Sequence, residues 1–223
     1  MKKAVILLSG GLDSTTCMSV AHQEGYELYP ISFNYGQRHQ RELESAKAVA
    51  SFYRVKEHRI FEIDYVGGSA LTDPSISVPA YQEAEGIPVT YVPARNILFL
   101  SYALGYAEVL GAEAIFIGVS SIDYSGYPDC RPEFIEAFQQ VVKVGTKAGV
   151  DGKAMTIRTP LIQLSKAATI QLAMANGAPL HLTTSCYQGG EKACGICDSC
   201  TLRLKGFKEA GLVDPIPYET FSV

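Results

Sequence analysis

No stretch of this sequence approaches the roughly 20 consecutive apolar residues that span a bilayer, so no membrane helix is expected. The start, MKKAVILLSGG, imitates a secretory leader, but its apolar run, Ala4 to Leu8, is five residues long. A leader's apolar core needs roughly 7–15. The cytoplasm is therefore the expected compartment, and because it is reducing, the six cysteines need not form disulfides. An excess of positive charge is missing as well: 19 Lys and Arg stand against 23 Asp and Glu, a net charge of −4. Neutralising phosphates over a broad surface takes clustered cations, so direct contact with nucleic acid is not expected. No internal repeat and no low-complexity segment is visible. What the chain does have is apolar content, 47% of 223 residues, enough for the core of one domain or of one domain with a small attachment.

Short apolar runs alternate with amphipathic stretches. Strands are predicted at 3–8, 27–35, 57–64, 114–119 and about 155–160, and helices at 14–24, 38–54, 96–111, 132–147 and 165–176. In the 96–111 helix Ile97, Leu100, Leu104, Ala107 and Leu110 share one face, and Gly111 suits its end. Pro132 opens its helix, and Ser165 and Gly177 bracket theirs. Residues 65–90 show no clear period and read as an inserted loop. The alternation predicts an α/β fold, a doubly wound parallel sheet of five strands with helices on both faces. Residues 1–180 would form that domain. Residues 181–223, with four of the six cysteines and one short helix near 198–210, would form a small C-terminal metal-binding segment packed on it. Ligands of such sheets sit beyond the carboxyl ends of the strands. The loops at 9–14, 34–38, 91–96, 118–131 and 160–166 should therefore meet around one crevice.

In VILLSGGLDSTTC, glycines follow the first strand and open the first helix. Glycines let backbone amides approach an anion, and a helix amino end adds unpaired N–H groups and partial positive charge. The spacing matches neither G-x-x-x-x-G-K-[ST] nor G-x-G-x-x-G. A tight turn with Asp13 or Ser14 as helix cap is the alternative reading. SGGLDS resembles the SGGxDS signature of the PP-loop pyrophosphatases, which split ATP between its α and β phosphates and adenylate a substrate oxygen. The resemblance implies an ATP-binding set of Leu8, Ser9, Gly10, Gly11, Leu12, Asp13, Ser14 and Thr15, with Asp13 near Mg²⁺ and the phosphates. Positive charge would come from Mg²⁺ and from other loops. Lys166 is the first candidate, because a lysine at a helix amino end opposes the dipole unless an anion is near. A solvated first-turn lysine is the alternative. Arg95 and Arg38 come next.

TSCYQGGEKACGICDSC carries Cys186, Cys194, Cys197 and Cys200 at the spacing C-x7-C-x2-C-x2-C. Four thiolates so close can close a tetrahedral, structural Zn²⁺ site with no open position. An iron–sulfur cluster and disulfides are the alternatives. Cys17 reads as a small core residue. Cys130 sits in a crevice loop, with no histidine placed to activate it.

YVPARNILF and GVSSIDYSGYPDCRPEF are dense in polar and aromatic groups. Arg95 can fork onto a carboxylate or phosphate. Asn96 can cap the helix it starts. Asp123 and Asp129 can accept hydrogen bonds from a guanine-like base, and Tyr91, Tyr124 and Tyr127 offer stacking faces. SGGLDS, FNYGQRH, VPARN, GVSSIDYSGYPDCRPEF, TPLIQLSK and the cysteine tail together resemble the 7-cyano-7-deazaguanine synthase family, in order and over nearly the whole chain. The resemblance implies 7-carboxy-7-deazaguanine, ammonia and ATP as substrates, zinc as a structural metal and a homodimer. It implies catalytic roles for Asp13, Lys166 and Arg95, and substrate binding by Tyr91, Asn96, Asp123, Tyr127, Asp129 and Arg131. The rivals are a PP-loop tRNA-modifying enzyme thiolating through Cys130, and a non-enzymatic zinc-containing nucleic-acid binding module.

Overall fold

The computed structural model describes residues 1–37, 40–64, 67–81, 86–121 and 126–219. Arg38, Asp123 and Tyr124 lie outside the described residues. Five strands form one sheet: β1 (Lys3–Leu7), β2 (Glu27–Asn34), β3 (Arg59–Glu62), β4 (Ala114–Phe116) and β5 (Thr156–Arg158), in the order β3-β2-β1-β4-β5. Every pairing is parallel; Lys3 faces Glu27 across β1 and β2, and Ala4 faces Ala114 across β1 and β4. The order in which strands are added therefore reverses between β1 and β4, where the chain leaves the two strands toward opposite sides.

Period-two alternation along β1 sends its side chains into two different cores. Val5 and Leu7 join Leu100, Ala103 and Ala107 of α3 (Arg95–Leu110) and Ile135, Phe138 and Val142 of α4 (Pro132–Gly145). Ala4, Ile6 and Leu8 join Cys17, Met18 and Ala21 of α1 (Leu12–Gln23) and Ala46, Val49 and Ala50 of α2 (Arg41–Phe52) on the other face. The doubly wound sheet is thus covered on both sides, and Cys17 is a core residue.

Several element limits differ from the expected ones for local reasons. The first helix starts at Leu12, not 14: Gly11 is its extended N-cap, without a side-chain cap bond, and the Ser14 hydroxyl turns back to the Gly11 carbonyl at 3.2 Å. Helix α3 buries Asn96, Leu100, Ala103, Tyr106 and Ala107 and leaves Ile97 43% exposed. Leu100 and Ala107 of the expected face are buried and Leu104 and Leu110 pack against the same core, so the difference is that Asn96, bonded to the 128–130 turn, is buried where Ile97 was expected. The helix expected through 147 breaks at Thr146, whose hydroxyl accepts the Gly149 N–H and opens α5 (Lys147–Val150). Ser165 does cap α6 (Lys166–Ala175), and Gly111 and Gly177 follow α3 and α6 with positive φ. No helix or strand occurs among the described residues of the 65–90 loop.

The tail is clamped to the body. Helix α7 (Asp198–Glu209) packs on α6, with Phe207 beside Ile170 and Ala173. Arg203, only 2% exposed, forks onto Asp214 at 2.7 and 2.9 Å and donates to Thr183 Oγ1 at 2.7 Å and to the Leu180 carbonyl at 3.3 Å. Tyr218 donates to the same carboxylate at 2.6 Å. A buried charge is tolerated only when paired and hydrogen-bonded in this way.

Candidate active site

A crevice of about 320 Å³ opens at the carboxyl ends of β1, β2 and β4, at the reversal of strand order where ligands of open α/β sheets bind. Its floor is the glycine loop. Gly10 has φ +83, and a Cβ there would meet the Glu42 carbonyl, the Ala46 amide nitrogen at 2.5 Å and Ser45 Cβ at 2.9 Å. The loop is thereby pressed against the amino end of α2. Ser14 Oγ accepts the Ser9 N–H at 3.2 Å and lies 3.1 Å from Ser9 Oγ, which ties the loop across its mouth. Gly118, after β4, seats against Asp13 and Ser14: a Cβ would lie 2.9–3.0 Å from their backbone atoms. The amino end of α1 therefore faces the crevice from the switch point, with the dipole and amide groups that favour an anion.

Lys166, the first residue of α6, reaches over this end. Its Nζ lies 2.9 Å from both carboxylate oxygens of Asp13, with the two side chains 15% and 34% exposed. The lysine and aspartate singled out in the sequence, 153 residues apart, thus share one corner of the site. Leu8, Ser9, Gly11, Leu12 and Ser14 also line the crevice. Gly10 and Thr15 do not; Gly10 shapes the turn from behind, and Thr15 is fully buried in α1.

The opposite wall is aromatic and cationic. Arg95 opens α3 after Ala94, whose backbone is left-handed at φ 57, and donates to Tyr35 Oη at 3.3 Å. Tyr127 lines the same wall and lies 2.9 Å, oxygen to oxygen, from Thr90 Oγ1. Burial pushes the phenols of Tyr35 and Tyr127 up from their ordinary values, so both stay neutral hydrogen-bonding groups. Phe99 stacks on Phe33 at 4.0 Å and closes the apolar side.

The 128–130 turn is placed differently from the sequence expectation. Asp129, buried, accepts the Asn96 N–H on Oδ2 at 3.0 Å, while Asn96 Nδ2 donates to the Asp129 carbonyl at 3.1 Å and to Cys130 Sγ at 3.4 Å. Asn96 thus does not cap α3 with its side chain; Asp129 satisfies an amide of the first turn, and Asn96 locks the turn in return. Asp129 and Tyr91 stand behind the lining, Tyr91 accepting the Ala94 N–H at 3.0 Å, and Arg131 is exposed at the N-cap of α4. Cys130 does line the crevice, but burial, followed by the Asp129 charge, pushes its thiol up to about 12. A thiol held neutral is a poor nucleophile.

The sequence reading missed the tail's share of the site. Thr184, Ser185 and Tyr187 form one wall, and Asp198, Ser199 and Arg203 stand beside it. Thr184 N–H donates to the Gly10 carbonyl at 3.0 Å. Their one signal was adjacency to Cys186, which points to the metal cluster and not to the crevice. Gln37, within the FNYGQRH motif and the 34–38 loop expected at the crevice, does line it, whereas Glu42, inside α2, carried no such signal.

The four tail cysteines converge: their sulfurs all lie within 4.8 Å of one another, all four residues are buried, and Cys194 and Cys200 are 3.9 Å apart. A tetrahedron of sulfurs at zinc's bond length has edges of roughly 3.8 Å. Backbone N–H groups of Gln188 and Cys194 point at Cys186 Sγ, and those of Ile196 and Cys197 at Cys194 Sγ, at 3.3–3.5 Å. Such donors favour thiolates, so the donor set fits a metal ion.

A family model described as queuosine biosynthesis protein QueC matches residues 3–211. The chain is 78% identical over 218 residues to 7-cyano-7-deazaguanine synthase 2 of Desulfitobacterium hafniense strain Y51, covering 98% of this chain and 94% of that one. It is 70% identical to 7-cyano-7-deazaguanine synthase of Acetivibrio thermocellus, covering 98% of each, and 61% identical to the Oceanobacillus iheyensis protein of that name, covering 97% and 98%. Among solved structures, NMN synthetase from Francisella tularensis superposes with a TM-score of 0.50 at 16% identity, over 95% of this chain and 78% of that one. That likeness concerns the fold.

Proposed function

The chain belongs to the family of queuosine biosynthesis protein QueC, and from that premise we infer an ATP-dependent ligase that converts 7-carboxy-7-deazaguanine and ammonia to 7-cyano-7-deazaguanine. The observation that carries the reading is the Lys166–Asp13 pair above the amino end of α1, at the switch point of the sheet. A cation, a carboxylate and a helix amino end converge there, which is what a polyphosphate needs.

The first-turn amides of α1, with Ser9 and Ser14, receive the pyrophosphate end of ATP. Lys166 exchanges Asp13 for a phosphate oxygen and offsets the charge that develops as pyrophosphate leaves. Asp13, released from the lysine, would hold Mg²⁺, which when bound would supply Lewis-acid stabilisation of the phosphates. Arg95 holds the substrate carboxylate beside the α phosphorus. The carboxylate oxygen attacks, an acyl-adenylate forms and pyrophosphate departs. Ammonia displaces AMP to give the amide. A second ATP adenylates the amide oxygen and releases pyrophosphate; that oxygen then leaves with AMP as the amide nitrogen gives up its two protons to solvent, and the C–N bond becomes the nitrile triple bond. Tyr127 and Asn96 orient the base, and Asp129 and Tyr91 hold those side chains and the Ala94 turn in place. Asp123 and Arg131 belong to the same proposed substrate set, Arg131 from the rim.

The four cysteines hold zinc in this reading, as a structural ion with no open position, and residues 181–223 act as one metal-holding segment on the 1–180 domain. No helix among the described residues is long and apolar enough to cross a membrane; a cytoplasmic homodimer acting on small molecules completes the proposal, and light scattering tests its assembly. Purified protein given Mg²⁺-ATP, ammonium and 7-carboxy-7-deazaguanine should yield the nitrile, the amide and AMP by mass spectrometry. Absence of all three sinks the assignment.

A further inference from the structure

Helix α7 contains a glycine at an interior position, Gly206, which is buried. Glycine is the poorest helix former after proline, so an alanine there would stabilise the helix if the site had room for it. It has none. A Cβ on Gly206 would run into Cγ of Lys166, lie 2.8 Å from Lys166 Cβ and 3.0 Å from Ile170 Cδ1. The stem of Lys166 crosses α7 at the one place where α7 lacks a side chain.

The register of α7 is fixed at its amino end and at its middle. Cys197 and Cys200, at its amino end, belong to the four-sulfur cluster. Arg203, one turn on, is forked by Asp214 and bonded to Thr183 and Leu180. Gly206 lies three residues further, again within the spacing that makes neighbours on a helix surface. The steps from Cys200 to Arg203 to Gly206 therefore wind about a third of the way round α7 and link the metal cluster to the lysine that meets Asp13.

We propose that Gly206 is a positioning residue for the nucleotide chemistry: its missing side chain leaves the channel in which the Lys166 stem lies, and so aims the ammonium at the corner shared with Asp13. The tail then serves the crevice in two ways, by walling it with Thr184–Tyr187 and by aiming its cation. This rests on the phosphate role of Lys166 proposed above. A displacement of about 1 Å at such a group costs about 100-fold in rate.

The test is a double-mutant cycle on the zinc-loaded protein: wild type, Gly206→Ala, Lys166→Gly and the double variant. Readouts are metal content, melting temperature, the dissociation constant of a nonhydrolysable ATP analogue, and turnover. Gly206→Ala should keep its metal, weaken analogue binding and lose about 100-fold in turnover. In the Lys166→Gly background, where the stem is gone, the same change should cost little or nothing further. Equal losses in both backgrounds, or wild-type binding and turnover in Gly206→Ala, overturn the proposal. Should Gly206→Ala fold poorly, the double variant should regain the melting temperature, since the clash partner has been removed; a double variant that melts equally low also overturns it. The analogue-binding cycle does not depend on which carboxylate is activated. A wild type that binds the analogue but forms no nitrile would therefore fail the reaction assignment while leaving the Gly206 cycle readable.

Discussion

The ammonium of Lys166 sits 2.9 Å from each carboxylate oxygen of Asp13, so the two residues hold each other at the mouth of the glycine loop. The pair is partly exposed, and pairs of that kind add little to stability. Lys166→Ala should therefore leave metal content and the unfolding midpoint near wild type, while pyrophosphate release falls about 100- to 1,000-fold. Undiminished release would remove Lys166 from the mechanism.

Gly10 combines a positive φ with close contacts to the backbone of α2. A left-handed backbone costs a residue with a side chain about 1–2 kcal/mol, and here the added carbon has no space. Gly10→Ala should lower the unfolding free energy by at least that much, seen as a lower urea midpoint, and weaken ATP-analogue binding, read by calorimetry. Binding and midpoint both unchanged would show that the loop can shift freely.

The thiol of Cys130 is pushed up from 9.0 to about 12 by burial. Folding thus favours the neutral thiol. The stability it contributes is complete below pH 9 and is lost as pH rises toward 12. Cys130→Ser should flatten that part of the wild-type stability curve between pH 9 and 12, measured by urea unfolding, and should leave nitrile formation intact at neutral pH. Abolished activity would favour a thiolating enzyme.

Asp214 compensates Arg203 where both side chains are almost wholly buried, 3% and 2% exposed. Asp214→Ala strands the guanidinium, and breaking such a pair costs about 3–5 kcal/mol. Chemical unfolding should show a loss of that order. A loss near zero would mean that Arg203 finds water or another partner.

Cys197→Ser should lower the bound metal, measured by elemental analysis. Because Cys186 adjoins the crevice-wall residues Ser185 and Tyr187, analogue affinity should fall with the metal. Metal loss with full affinity would separate the cluster from the crevice.

Motifs made of neighbours were legible in the chain itself. The glycine turn, the Ser165 cap and the four-cysteine spacing act within a few residues, and alternation of strand and helix specifies a parallel sheet by handedness and burial alone. The reading went astray where a distant group competes for a local one. Asn96 is the natural cap of its helix until Asp129, 33 residues on, takes its N–H, and Ile97, on the expected apolar face, is left 43% exposed while Asn96 is buried.

Local chemistry along the chain determined that there is a glycine loop opening a helix, a sheet to carry it and a cluster of cysteines. Only tertiary packing decided which residues face the loop, because Lys166, Gly118 and Thr184 reach it through contacts that no sequence period records, and Gly206 meets the stem of Lys166 and not the loop. Backbone propensities are set by nearest neighbours. The aim of one ammonium is set by the shape of the helix it crosses.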